Sequence, residues 1–182
     1  MADIDPRAAE VTKFWRDAGW EAWFEKNADF DAGFHDRFRD LHFEAAARKL
    51  DDWIEHPESA FALMILLDQF PRNCFRGTGH MYATDPLALY FARKALEAGH
   101  DMALEEGVRV FFYLPFSHSE DLANQEIAVE HGKPLGAEML KHAVGHRDIV
   151  KRFGRFPHRN RILGRDTTPE EQSFLDSGGF KG

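Results

Sequence analysis

Residues 60–67 restrict the fold more than any other stretch, because this run, Ala-Phe-Ala-Leu-Met-Ile-Leu-Leu, contains no polar side chain. Pro57 and Glu58 stand just before it and favour the first turn of a helix. A helix that is apolar on every side has to be surrounded by other protein elements. A run this short does not span a bilayer, so it predicts a central helix in the core of a globular protein.

Amphipathic helices are predicted on both sides of this run. In residues 30–45, Phe and other apolar side chains recur three or four positions apart, with Asp, Arg and His on the opposite face. Residues 108–114 have the β-branched and aromatic composition of a strand. No second strand candidate exists for them to pair with, so a buried helix is predicted there. A further apolar stripe covers 135–153 and ends at Gly154.

Capping signals mark the starts of three helices. Asp85 precedes a proline that suits a first helical turn. Ser117 with Glu120, and Thr168 with Glu171, have the spacing of a capping box, in which each member satisfies a backbone amide of the other. These signals separate the later helices from one another.

The predicted fold class is all-α, with about eight helices. The 182 residues suffice for a core that buries most of the apolar surface of the unfolded chain. No low-complexity linker or change in composition divides the sequence. One domain over residues 1–182 is therefore expected.

Charge and cysteine content argue against several classes of protein. The formal net charge of −8 argues against nonspecific binding of nucleic acid by the whole surface. Cys74 is the only cysteine, which excludes an internal disulfide and fits a reducing compartment. Residues 1–6 lack the basic and apolar regions of a signal peptide. We expect a cytoplasmic protein with no nucleic-acid or membrane partner, and the sequence leaves its oligomeric state open.

Residues 141–165 differ in charge from the rest of the chain. They contain eight Lys or Arg against one acid, Asp148, so this segment carries +7 and the remainder −15. Because Phe, Ile and Val separate the basic residues, the segment does not resemble a solvated tail. An arginine among apolar residues needs an internal carboxylate or a bound anion. The sequence leaves both alternatives open.

A candidate cluster combines this segment with polar residues at the ends of predicted buried helices. Its guanidinium groups suit carboxylates or phosphates, which they bind through two hydrogen bonds. With Asp148 included, the set has six Arg and four acids, a surplus of two positive charges. A structural Arg–carboxylate network is the first interpretation and a pocket for a small anion the second. The candidate residues are Asp68, Arg72, Asn73, Arg109, His118, Glu120, Asp121, His146, Arg147, Arg152, Arg155, His158, Arg159 and Asn160.

A metal site is a weaker hypothesis. Its ligands would be His118, Glu120, Asp121 and His146, residue types that bind Zn²⁺. His146 lies in the apolar stripe, however, where a core histidine is the usual finding, and no His-Glu-x-x-His motif is present. No cofactor is predicted.

Three stretches carry a resemblance to a known family. They read LLDQFPRNCFRG at 66–77, FYLPFSHSEDL at 112–122 and HRDIVKRFGRFPHRN at 146–160. They resemble the bacterial domain-of-unknown-function family 924, and the similarity extends from Phe14 to Glu171. Ser117 departs from the family, in which Met is expected more often at this position. The resemblance implies a tetratricopeptide-like fold of stacked antiparallel helices and no particular activity. The sequence itself shows no clear 34-residue repeat.

Two hypotheses of function follow. The leading one, suggested by the tetratricopeptide-like resemblance, is a helical scaffold whose exposed groove binds a protein or peptide. The alternative is a small enzyme or sensor for an anionic metabolite, and whether the protein is an enzyme stays open. The alternative would use Arg72, Arg147, Arg155 and His118, with Glu120 or Asp68 as the base.

Overall fold

The computed structural model describes residues 4–182, and this range contains helices and turns but no strand. The helix α3 is a direct succession of α-helical Pro57–Met64, π-helical Ile65–Gln69 and α-helical Phe70–Cys74. Within the described range the other helices are α1 (Pro6–Phe24), α2 (Ala28–Ala46), α4 (Asp85–Glu97), α5 (Glu106–Ser117), α6 (Leu122–Gly132), α7 (Ala137–Phe153) and α8 (Pro169–Asp176). The prediction of an all-α fold with about eight helices is confirmed.

The chain forms two compact units. The first consists of the chain up to Arg76 together with His80–Pro115, and the second of Gly77–Gly79 with Phe116–Gly182. One domain over the whole chain stays a prediction. Residues 1–3, part of the opening segment expected not to be a signal peptide, lie outside the described residues. Across residues 4–182, no helix combines the length and apolar character that crossing a membrane requires.

The first unit is built around α3. All side chains from Ala60 to Leu67 are fully buried, as the absence of a polar face predicts. The helices α1, α2 and α4 pack against α3. Large rings fill the space between these elements, and Trp15 on α1 contacts Phe34 of α2 and Phe111 of α5. Aromatic burial of this kind supplies most of the stabilisation of such a core.

The π-helical turn in α3 has a visible cause and a consequence for His42. In a π turn each N–H reaches back one residue further than in an α-helix, and Pro71 has no N–H to donate. The carbonyls of Leu66 and Leu67 therefore take side-chain partners, His42 Nδ1 at 2.8 Å and Thr84 Oγ1 at 2.6 Å. The prediction that the histidines of α2 occupy its solvent face is wrong for His42, which is fully buried because it caps this turn.

The predicted capping box at residues 117–120 is also wrong. The helix α5 continues past Pro115 to Ser117, and the next helix begins only at Leu122. Asp121 caps this helix instead. Its carboxylate accepts hydrogen bonds from the backbone N–H groups of Ala123 and Asn124, at 2.8 and 3.2 Å. Aspartate is among the best N-cap residues, so it competes successfully with the upstream serine.

In the second unit, α6 and α7 pack against each other. A Cβ atom on Gly132 would lie 3.5 Å from the Cβ of Ala143, an ordinary van der Waals contact, so the two helices lie close together at this position. As predicted, α7 ends at Gly154, whose φ of 70° is left-handed. The predicted capping box of Thr168 and Glu171 is present at the start of α8.

Candidate functional site

Asp68 and Arg72 form a buried ion cluster in the first unit. Asp68 is fully buried in the π turn, and Arg72 Nη1 lies 3.2 Å from its carboxylate. The guanidinium also donates to both carboxylate oxygens of Asp85, at 2.7 and 3.0 Å. Burial lowers the pKa of Arg72, but the nearby carboxylates outweigh this effect and the net shift is upward. This arginine is used for internal neutralisation.

Two further candidates of the first unit have separate partners. Asn73 donates to Asp31 Oδ1 at 2.7 Å, and Arg76 approaches the other oxygen of that carboxylate at 3.3 Å. Arg109 donates to the carbonyl of Leu104 at 3.2 and 3.3 Å. The contact of Asn73 joins α3 to α2, and that of Arg109 holds the loop before α5 against this helix.

Glu120 is the centre of an ion pair in the second unit. Its carboxylate accepts two hydrogen bonds from Arg165, at 2.6 and 2.9 Å, and one from the N–H of Phe156 at 2.7 Å. Burial raises the pKa of Glu120, but these donors outweigh burial and the net pKa is lowered. A carboxylate held charged in this way is poorly suited to act as a general base.

Glu171 is the centre of a second network. Its side chain is only 3% exposed, and it accepts two hydrogen bonds from Arg155, at 2.6 and 2.8 Å. Asn160 Nδ2, at 3.2 Å, and the N–H of Thr168, at 2.8 Å, complete its surroundings. Arg155 is the main reason that the pKa of Glu171 falls to about 2. This network fixes the basic connection between α7 and α8.

Arg147 and Arg152 form ion pairs at the surface. Arg147 lies 2.7 Å from Asp148, and Arg152 lies 3.0 Å from Glu170. Pairs of this kind contribute little to stability, because solvent screens them. The carboxylate of Asp121 caps α6. Arg147, Arg152 and Asp121 therefore make local structural contacts.

The histidine candidates meet in the second unit. Arg159 donates to the carbonyl of His118 at 2.9 Å, and its guanidinium lies over the Phe156 ring. Burial lowers the pKa of His146 to about 3 and that of His158 to about 4. Neighbouring positive groups add to both shifts, so these two imidazoles are neutral at pH 7.

Within residues 4–182, no group of three or more His, Cys, Asp or Glu side chains is arranged to hold a metal ion. Two members of the predicted metal set have other partners, because Glu120 is bound by Arg165 and Asp121 caps α6. These partners argue against a metal site formed by the four predicted residues.

Sequence reasoning missed the acidic and basic partners of the cluster. Asp85 and Glu171 were assigned to helix starts alone, although each carboxylate also binds an arginine. The candidate set contained two more arginines than acids because these two carboxylates were not counted in it. Arg165, counted only as part of the basic segment, is the partner of Glu120.

A histidine pair was missed as well. His42 Nε2 and His80 Nε2 are 2.8 Å apart, within a group of rings that includes Phe70 and Phe75. Because His42 Nδ1 has to donate to the Leu66 carbonyl, its Nε2 accepts the proton of His80. Burial lowers the pKa of His42 to about 4, which keeps this ring neutral.

A depression of about 300 Å³ lies between α1 and α2, and we call it the α1–α2 groove. Phe14 and Phe30 line it and stack with their centroids 5.4 Å apart. Its exposed charged residues form two ion pairs, Lys13 with Asp17 and Glu10 with Arg37, at 2.6 and 2.7 Å. The full lining is Glu10, Lys13, Phe14, Asp17, Ala18, Phe30 and Arg37.

Comparison with protein families identifies the chain. The profile of a bacterial protein family of unknown function, DUF924, matches residues 11–179. The chain belongs to this family. A solved structure, that of the protein of unknown function ATU0120 from Agrobacterium tumefaciens, is similar with 62% sequence identity and a TM-score of 0.94. The match covers 97% of this chain and 100% of that one. The search of curated proteins gave no match.

Family membership confirms the predicted resemblance and carries no activity with it. The tetratricopeptide-like arrangement stays a prediction. Function therefore has to be argued from the groove and from the charged clusters.

Proposed function

We propose that this protein is an interaction domain that binds a peptide segment of a partner protein in the α1–α2 groove. One observation carries the proposal: stacked, half-buried Phe14 and Phe30 lie in a surface depression whose exposed charges are already paired. An apolar side chain of a partner would cover these rings without separating an ion pair. Anchoring of this type is typical of peptide recognition by helical grooves.

The composition of the groove favours binding over catalysis. Its lining contains no histidine, cysteine or hydroxyl side chain, and its lysine and both carboxylates are engaged in ion pairs, so a nucleophile there would first have to lose its partner. Its volume of about 300 Å³ is at the lower end for small-molecule sites and suits one or two side chains. We place the interaction in the cytoplasm on the evidence of charge and cysteine content.

The proposal can be tested by selecting peptides from a display library against the purified protein. We expect enriched peptides to share an apolar anchor residue. Replacement of Ala18 by Arg would fill the groove and weaken binding of a selected peptide at least about tenfold. Ala47→Arg, at an exposed position after α2, is the matched control. Equal affinity of the two variants would contradict the proposal.

The alternative function, anion binding by an enzyme or sensor, loses most of its residues to internal pairing. Arg72, Arg147 and Arg155 each bind a carboxylate through short hydrogen bonds. A guanidinium neutralised in this way has little net attraction for a further anion. The histidine group around His146 and His158 is the part of the alternative that still has support.

A further inference from the structure

Two imidazoles of the second unit lie between the same two phenylalanine rings. The ring centroid of His146, on α7, is 5.5 Å from Phe156 and 4.7 Å from Phe180. The ring of His158 is 5.6 Å from Phe156 and 5.0 Å from Phe180. Three segments distant in sequence thus converge on one small aromatic and imidazole cluster.

Residues 178–182, here called the tail, form one wall of this cluster. Gly178 has a φ of 88°, a left-handed conformation that reverses the chain after α8. Phe180 then contacts both imidazoles while 39% of its own surface stays exposed. A Cβ atom on Gly182 would lie 3.0 Å from His158 Cδ2, so the tail backbone also approaches this ring. Gly178 and Gly179 donate backbone hydrogen bonds to α8, and ring contacts, which are individually weak, hold Phe180.

Neither histidine side chain is strongly held in its present state. Nδ1 of His158 is buried and has no hydrogen-bond partner among the described residues. The ring of His146 makes contacts with Phe156 and Phe180 and no hydrogen bond within residues 4–182. A buried polar nitrogen without a partner is destabilising, so a ligand that supplied an acceptor would be stabilising.

The charges around the cluster favour an anion over a metal cation. Most of the groups that act electrostatically on these two imidazoles are basic or protonatable, and Glu120 is the acid among them. The carboxylate of Glu120 is already bound by Arg165 and by the N–H of Phe156. Arg159 and the neighbouring histidines oppose protonation of both rings. The surrounding groups are His118, Glu120, His142, Arg159 and Arg165.

We propose that His146 and His158, beside the guanidinium of Arg159, form a binding site for a small tetrahedral oxyanion, and that the tail covers this site. An oxyanion accepts hydrogen bonds from both imidazoles and stabilises their protonated forms. Binding therefore takes up protons, and it requires Phe180 to move aside. The site is separate from the α1–α2 groove and does not depend on the proposed peptide binding.

Calorimetric titration with inorganic sulfate, whose charge is constant between pH 5 and pH 7, tests the site. We expect Phe180→Ala to bind sulfate at least about tenfold more tightly than the wild type, because the ring no longer competes. For each proton that binding takes up, the affinity for sulfate should rise about tenfold when the pH is lowered by one unit. Inorganic phosphate and a phosphate monoester, tested in parallel, distinguish a free anion from the phosphoryl group of a larger ligand.

Histidine variants decide the assignment. In the Phe180→Ala background, His146→Gln and His158→Gln should each reduce both the affinity and the proton uptake, whereas Ala18→Arg in the groove should change neither. Circular dichroism establishes that each variant is folded, and Phe180→Leu replaces Phe180→Ala if the latter unfolds. The proposal is overturned if the folded tail variant binds no sulfate at pH 5. It is also overturned if binding survives both histidine substitutions or if the wild type binds as tightly as the tail variant.

Discussion

Replacement of Arg72 by Met should destabilise the first unit strongly. The substitution removes the guanidinium that donates to the Asp68 carbonyl at 2.9 Å and to both oxygens of Asp85. Asp68 is fully buried and would keep the amide of Gln69 as a donor but lose its cation. Removing one partner of a buried ion pair costs about 3–5 kcal/mol, so we expect a loss of unfolding free energy in that range.

The assay is urea unfolding followed by tryptophan fluorescence. All four tryptophans precede residue 77, so the signal reports on the first unit. Lys13→Met is the matched control, because the Lys13–Asp17 pair is exposed and should contribute less than about 1 kcal/mol. Adding Asp68→Asn to the Arg72 variant should recover part of the loss, because the buried charge is removed. Equal destabilisation by Arg72→Met and Lys13→Met would refute the reasoning.

Three further predictions concern pH, thiol reactivity and capping. Burial lowers the pKa values of His42, His146 and His158 to between about 3 and about 4, so the unfolded chain binds more protons below its own histidine pKa. The contribution of these neutral histidines to the unfolding free energy should therefore be fully present above about pH 6.5 and decrease as the pH falls towards 4. Urea midpoints that stay constant from pH 7 to pH 5 would contradict this prediction. Burial, with Asp31, raises the pKa of Cys74 to about 12, so a thiol reagent at pH 8 should label the folded protein on the order of a thousandfold more slowly than the unfolded chain. Thr168→Ala removes the hydroxyl of the α8 capping box and should lower the unfolding free energy by about 1 kcal/mol. Thr167→Ala is the control, and a smaller effect of Thr168→Ala than of this control would disprove the prediction.

Local features of the fold could be predicted from the sequence because their signals are local. The apolar run at 60–67 predicted a buried helix, and Gly154 predicted the end of α7, since each depends on neighbours within a turn or two. The start of α6 was harder. Serine and aspartate both suit a cap, and the choice depends on how far α5 continues beyond Pro115.

The charged cluster could be predicted only in part. That its arginines need a carboxylate or a bound anion follows from their apolar neighbours, but the identity of the carboxylates depends on tertiary contacts. Glu120 and Arg165 are 45 positions apart in sequence, and no local pattern connects them. The burial of His42 could not be predicted either. Its ring binds the Leu66 carbonyl, which lacks a backbone donor because of the π turn in α3.

Mapping a selected peptide onto the protein by amide chemical shifts tests the central proposal most directly. We predict that the peptide perturbs the amides of Lys13, Asp17, Ala18 and Phe30 most strongly, because these residues line the α1–α2 groove. Perturbations concentrated in the basic segment 141–165, with the groove amides unchanged, would contradict the proposal. They would indicate that the peptide binds at the basic segment.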